Sequence, residues 1–204
     1  MPRPKVHDDA LRGRLLEQAV RTLSEHGVDA LSLRKLAAQA ETSTTAVYSL
    51  FGGKPGLLNS VFDEAFRRFG ERITDVKITG NSREDLFELA MAYRASALAE
   101  PHFYMVMFGP IGAAVVPDPE TVELAKSIFR PLLEAVSTAI AAGELQTDNP
   151  TAVATTMWAI VHGMVSLELR SLLPPSAGDP AELYRQAVLA LGAGWLGSGP
   201  LDIA

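Results

Sequence analysis

Hydrophobic residues recur along this chain at helical spacing and almost nowhere alternate. Leu11, Leu15, Ala19 and Leu23, flanked by Leu16 and Val20, predict a first helix over about 8–25 that stops at His26-Gly27. Leu33, Leu36, Ala37 and Ala40 mark a short second helix, with Ser32 ahead of it as N-cap. After the polar break Glu41-Thr42-Ser43, the next eight residues divide at about 100° per residue. Thr44, Thr45, Tyr48 and Ser49 share one sector, and Ala46, Val47, Leu50 and Phe51 share the other. Gly52-Gly53-Lys54-Pro55 then opens a fourth helix, which carries Leu57, Leu58, Val61, Phe62, Ala65, Phe66 and Phe69 to about residue 73.

Gly80-Asn81-Ser82 breaks the pattern. Further helices are expected over about 83–99, 101–109, 119–142, 150–171 and 180–196, separated by proline and glycine. No strand pattern or repeat is present. The reading is all-α: a three-helix head (1–53), a linking helix 4 (54–80) and a larger helical ligand-binding and dimerisation domain (81–204).

Two short helices around a tight polar turn, the second with one face of hydroxyls and a tyrosine, suit the major groove of DNA, which admits an α-helix. Periodicity alone fits a plain helical hairpin equally well. The free N–H groups where helix 4 begins, beside Lys54 and two glycines, make a place for a backbone phosphate.

Tyr48, Phe51, Lys54 and the pair Leu57-Leu58, together with Gly27, Leu31, Leu33, Leu36 and Ala37, resemble the tetracycline-repressor (TetR) family of bacterial transcriptional regulators over the head. The resemblance implies that Thr44, Thr45 and Ser49 face the groove, with base contacts at Thr42 and Ser43 as well, and that Tyr48 and Lys54 lie on phosphates. Two departures stand out. Glu41 and Thr42 replace a glycine and a small apolar residue in the turn, and Leu50 stands where histidine is common. A left-handed glutamate is strained, so the turn is expected to be wider than usual.

Charge has the right sign for such a head. Residues 1–59 hold eight Lys and Arg against six Asp and Glu, and the remainder holds ten against eighteen. Arg34 joins Arg3, Lys5, Arg12, Arg14, Lys35 and Lys54 as groups able to neutralise phosphates, Arg3 and Lys5 on a proline-broken arm. An acidic pI of about 5.2 speaks for a sequence-specific reader over a packaging protein. The absence of cysteine rules out disulfides and thiolate chemistry. His7, His26, His102 and His162 are scattered, and no phosphate-binding glycine loop follows a strand, so no enzyme, metal or cofactor site is expected. Charged residues are expected to interrupt every membrane-length stretch, which places the chain in the cytoplasm with no membrane partner.

The run Pro101 to Gly112 is apolar on every side except His102 and belongs inside. Its Phe103, Tyr104, Met107 and Phe108, with Tyr93 of the preceding helix, form either plain core or the wall of a cavity. Trp158, His162, Gly163 and Glu168 resemble the tryptophan-histidine-glycine C-terminal domain of one TetR subgroup. His162 is then either a satisfied core histidine or, with Arg94 or Tyr104, a group that orients an apolar ligand. The resemblance implies a small hydrophobic effector among Tyr93, Arg94, Phe103, Tyr104, Met107, Phe108, Trp158 and His162, with 110–117 as a flap over it.

A single recognition helix reads few base pairs, so a homodimer on an inverted repeat is expected. Met157, Val161 and Met164 on one long helix, with Leu183, Ala187 and Leu191 on the last, are the expected pairing residues, beside Val153, Ile160 and Val188 and the small run 192–195. The implied function is a repressor of transcription released from double-stranded operator DNA by its effector. The alternative is a helical ligand-binding or protein-interaction bundle without DNA function.

Overall fold

The computed structural model describes residues 5–109, 117–145, 147 and 149–196. The elements, in order, are α1 (Lys5–His26), a 3-10 turn (Val28–Ala30), α2 (Leu33–Gln39), α3 (Thr44–Phe51), α4 (Lys54–Thr74), α5 (Ser82–Ala99) and α6 (Pro101–Phe108). There follow α7 (Pro119–Ala141), α8 (Pro150–Leu169), a second 3-10 turn (Pro175–Ala177) and α9 (Pro180–Leu196). No strand occurs among the described residues. The arm at Arg3 and most of the 110–117 flap lie outside them.

Two compact units emerge, residues 1–68 with 100–125 and residues 69–99 with 126–204. In the first, α1 buries Leu15, Leu16, Ala19, Val20 and Leu23, each at most 1% exposed. It supports α2 on one side and α6 on another. Burying the leucines and the valine is worth roughly 1.5–3 kcal/mol each before entropy is charged. Because α6 packs on α1, its buried Phe103, Tyr104, Val106 and Met107 complete the core of this unit. The polar exception, His102, is met by the Ser24 hydroxyl, with Nδ1 and Oγ 2.8 Å apart.

Arg68 ties this unit together. Its guanidinium reaches Glu17 of α1 at 2.5 Å, Glu64 one turn back on α4 at 2.7 Å and Glu100 at the start of α6 at 3.4 Å. It lies 4.4 Å over the ring of Phe103. Burial by itself raises the Glu64 pKa, but hydrogen bonds and charge from Arg67 and Arg68 outweigh it and hold the carboxyl below its ordinary range.

The turn between α2 and α3 corrects the expectation of a wide connection. Glu41 does adopt a left-handed φ of 53°, yet the turn is closed by Glu41 N–H to Ala38 O (3.2 Å) and Thr42 N–H to Ala37 O (2.9 Å). This pair of bonds is the usual glycine-type helix stop, made here with glutamate. The strain is absorbed locally at Glu41 and the turn stays short.

In the second unit, α5 packs against α8 and α9, and α8 also packs on α9. Val136, Ala139, Leu145, Val153, Ala154 and Met157 form one core cluster, with Leu191 and Phe129 against it. The link into α5 is closed by Asp85, whose carboxylate accepts from Thr79 N–H (2.8 Å), Thr79 Oγ1 (2.9 Å) and Gly80 N–H (2.9 Å). Burial alone raises the Asp85 pKa, and those three bonds more than reverse it.

Two further expectations change. Met157 (6% exposed) and Val161 (7%) are already buried inside the protomer, because their row on α8 faces α5 and the core cluster, leaving little area for a partner. The outward row of α8 carries Ile160 (38% exposed) and Leu167 (42%) instead. Charges do not interrupt every long apolar stretch either. Pro150–Leu169 is long and apolar enough to cross a membrane by length and composition, and only 28% of that window is buried in the protomer.

Candidate functional site

Each end of α3 is fixed by a side chain or residue type that the sequence supplies. Ser43 Oγ accepts from Ala46 N–H at 3.1 Å, and Gly52 closes the helix in the left-handed region, φ 69°. Between them Val47 (fully buried) and Phe51 (7% exposed) face inward, with the Arg12 guanidinium 5.5 Å over the Phe51 ring. Thr45, Tyr48 and Ser49 are exposed, Tyr48 by 54%, and Thr44 and Thr42 are half-buried. Arg34 is exposed on α2. Thr45, Tyr48 and Ser49 of α3 and Arg34 of α2 thus lie at the surface, while Ser43 spends its hydroxyl on capping.

Lys54 is engaged within the head. Its Nζ donates to the carbonyl of Val28 at 2.7 Å, locking the start of α4 to the 3-10 turn after α1. An ammonium has three donors, so the remaining two can meet a phosphate. Sequence reasoning missed Gly56. A Cβ built there would lie 1.8 Å from the Phe51 carbonyl oxygen, so α4 can begin this close behind α3 only with glycine. A glycine inside an otherwise apolar helical run was the available signal.

The eight effector candidates fall four in each unit. Phe103, Tyr104, Met107 and Phe108 belong to the first unit, where α6 packs on α1. Tyr93, Arg94, Trp158 and His162 belong to the second. There the Trp158 indole N–H donates to the Tyr93 hydroxyl (3.3 Å), which lies 3.0 Å from His162 Nδ1, and His162 Nε2 lies 3.4 Å from Ser166 Oγ. An indole only donates, so the arrangement that uses each hydrogen once runs from Trp158 through Tyr93 to a neutral His162. Burial, and then the charge of Arg170, lower the His162 pKa, in keeping with a neutral ring. Phe69 meets Tyr93 edge-on at 5.0 Å and Phe129 meets Trp158 at 6.3 Å.

Arg94 is held in a two-pronged ion pair with Glu168, Nε to Oε2 at 2.8 Å and Nη2 to Oε1 at 2.5 Å, both side chains about 15% exposed. Glu168 stands 74 residues away along the chain, a pairing with no local signal. An open groove of about 630 Å³ runs along Val76, Lys77, Thr79, Glu84, Glu88 and Met91, and none of the effector candidates lines it. No group of three or more His, Asp or Glu suited to a metal occurs among the described residues.

A capped pair of short helices, the second with Thr45, Tyr48 and Ser49 exposed, on an all-α body, has the form of a helix-turn-helix protein. Two family models match it: "Bacterial regulatory proteins, tetR family" over residues 15–61 and "Tetracyclin repressor-like, C-terminal domain" over residues 86–191. The chain belongs to the tetracycline-repressor family. HTH-type transcriptional regulator Rv1816 of Mycobacterium tuberculosis is 23% identical over 142 residues, 68% of this chain. The chain spans 61% of the length of the curated relatives it matches. Regulatory protein SCO4313 shares the fold with a TM-score of 0.76 at 24% identity, covering 94% of this chain and 98% of that one. AibR, solved in complex with isovaleryl coenzyme A and operator DNA, shares it at a TM-score of 0.61 and 16% identity, covering 91% and 98%.

Proposed function

We propose that this chain is a cytoplasmic transcriptional regulator that reads an inverted repeat in duplex DNA as a homodimer, represses from it, and is released by a small, largely apolar effector. The observation that carries the reading is the division of α3: Val47 and Phe51 buried, Thr45, Tyr48 and Ser49 outward, with a cap at each end. Such a helix presents hydroxyls to base edges and a tyrosine to the backbone.

Pairing is supported by α8, whose apolar length is mostly unburied in the protomer and whose outward row holds Ile160 and Leu167, with Leu189 exposed on α9. A second copy of the same helices is the natural cover, as in four-helix interfaces. Two copies would set their α3 helices on half-sites about 34 Å apart. The aromatic surroundings of the Trp158–Tyr93–His162 chain, with Phe69 and Phe129 beside it, support an effector that is mainly hydrophobic. Effector action would be a population shift worth a few kcal/mol between DNA-competent and released states.

Selection of random-core duplexes by the purified protein at near-physiological salt tests this, with Tyr48→Ala as control. The expected result is an inverted repeat enriched by the wild type and lost in the variant. Retention by the wild type no better than by Tyr48→Ala would overturn the reading.

A further inference from the structure

We propose that Glu41 determines specificity in the reading head by accepting a hydrogen bond from the amino group of a cytosine in the major groove; this rests on the reading of α3 as a DNA-recognition helix.

Glu41 occupies the left-handed position that stops α2, with φ 53°. Elsewhere in the head the chain fills every described positive-φ position with glycine, at Gly27, Gly52 and Gly53. A side chain in that conformation is disfavoured for an ordinary residue, and glycine adopts it freely. The hydrogen bonds that close the turn come from backbone N–H groups and need no carboxylate. Among the described residues no ion pair or hydrogen bond engages the Glu41 side chain, which is exposed. Folding therefore gains nothing from glutamate here, and an unrelieved outlier on a functional surface points to function.

Its place narrows that function. Glu41 lies two residues ahead of Ser43, the N-cap of α3, and a recognition helix contacts bases with its N-terminal residues. A carboxylate beside phosphates repels them on every sequence, so it lowers affinity generally and is offset only where it meets a donor. Guanine offers two acceptors in the major groove, thymine an acceptor and a methyl, and adenine a donor flanked by an acceptor. Cytosine alone offers an amino donor without an adjacent acceptor on the same base. The carboxylate thus penalises wrong sites as much as it favours the right one.

The test is selection from a random duplex pool by the wild type, Glu41→Gln and Glu41→Gly, followed by dissociation constants on the winning duplex and its single-base variants. Glu41→Gly retains the turn, and its melting temperature is expected to equal or exceed the wild type's. The expected result is a symmetric cytosine in each wild-type half-site. Preference for it falls roughly tenfold in Glu41→Gly, which binds the non-cytosine duplexes more tightly than the wild type does, and Glu41→Gln accepts adenine there as well. Unchanged preferences at every position in Glu41→Gly would overturn the assignment while leaving the DNA reading intact. Absence of any duplex enriched by the wild type would overturn the DNA reading, and this assignment with it.

Discussion

The ammonium of Lys54 donates to the carbonyl of Val28 at 2.7 Å, so the first residue of α4 holds the turn that follows α1. The contact joins a charged donor to a half-buried acceptor, and Lys54→Met is expected to lower the unfolding free energy by about 1–2 kcal/mol in urea. Tyr48→Ala, which removes an exposed ring, should change it by less than about 0.5 kcal/mol. Both variants should weaken binding to a selected duplex. Equal stability of Lys54→Met and wild type would show that the Val28 contact is idle.

Gly52 and Gly56 flank the junction of α3 and α4 for different reasons. Gly52 needs its left-handed backbone but has open space around it, whereas Gly56 has the Phe51 carbonyl where a Cβ would go. Gly52→Ala should cost about 1 kcal/mol, and Gly56→Ala about 3 kcal/mol despite alanine's better helix propensity. For a chain of this size these correspond to roughly 3 °C and roughly 10 °C in melting temperature. A Gly56→Ala protein as stable as the wild type would contradict the close approach.

Arg68 gathers Glu17, Glu64 and Glu100. Arg68→Met leaves three carboxylates converging without their cation and should lose about 2–3 kcal/mol at pH 7, discounted for partial exposure from what a fully buried pair would lose. The folded pKa of Glu64 lies below its usual 4.5. Its contribution is therefore present above that value and is lost as pH falls through the folded pKa. The gap between wild type and Arg68→Met should narrow below about pH 4.5 in urea titrations. A gap independent of pH would assign the loss to packing on Phe103.

His162 has its folded pKa below the usual 6.5, chiefly through burial. The unfolded chain then takes up a proton that the native state refuses. The native state is unaffected above 6.5, loses stability as pH falls below it, and stops losing at the folded pKa. Comparing melting temperatures of wild type and His162→Gln between pH 7.5 and 5.5 should show a shallower decline in the variant. Parallel curves would mean that the ring is protonated alike in both states.

Leu167, 42% exposed on α8, lies on the row expected to meet a second copy. Leu167→Glu should shift the protein toward monomer in sedimentation velocity at micromolar concentration without loss of helical circular dichroism. Persistence of the dimer would move the interface elsewhere.

The sequence by itself determined the helices, since their apolar rows repeat at a period that local geometry enforces, and it determined the two faces of α3. It also marks Ser32 as a cap, because caps depend on residues within one turn, whereas the capping by Ser43 and the stop at Gly52 come from the structure. It missed the 3-10 turn at Val28–Ala30, a piece too short for periodicity to mark. It also carried α8 two residues too far, to 171, where Arg170 caps the helix and Ser171 turns left-handed.

Only the tertiary structure decided where each apolar face goes. α6 is apolar nearly all round, so its pattern has no direction, and packing on α1 is what makes Phe103 and Met107 core of the first unit. α8 has apolar residues on two rows, and contact with α5 chose Met157 and Val161 for the interior and left Ile160 and Leu167 outside. Arg68 with Glu17, and Arg94 with Glu168, join residues about 50 and 74 positions apart, separations at which a chain carries no periodic signal. Local sequence sets what each segment is; which segment it meets depends on the packing of the whole chain.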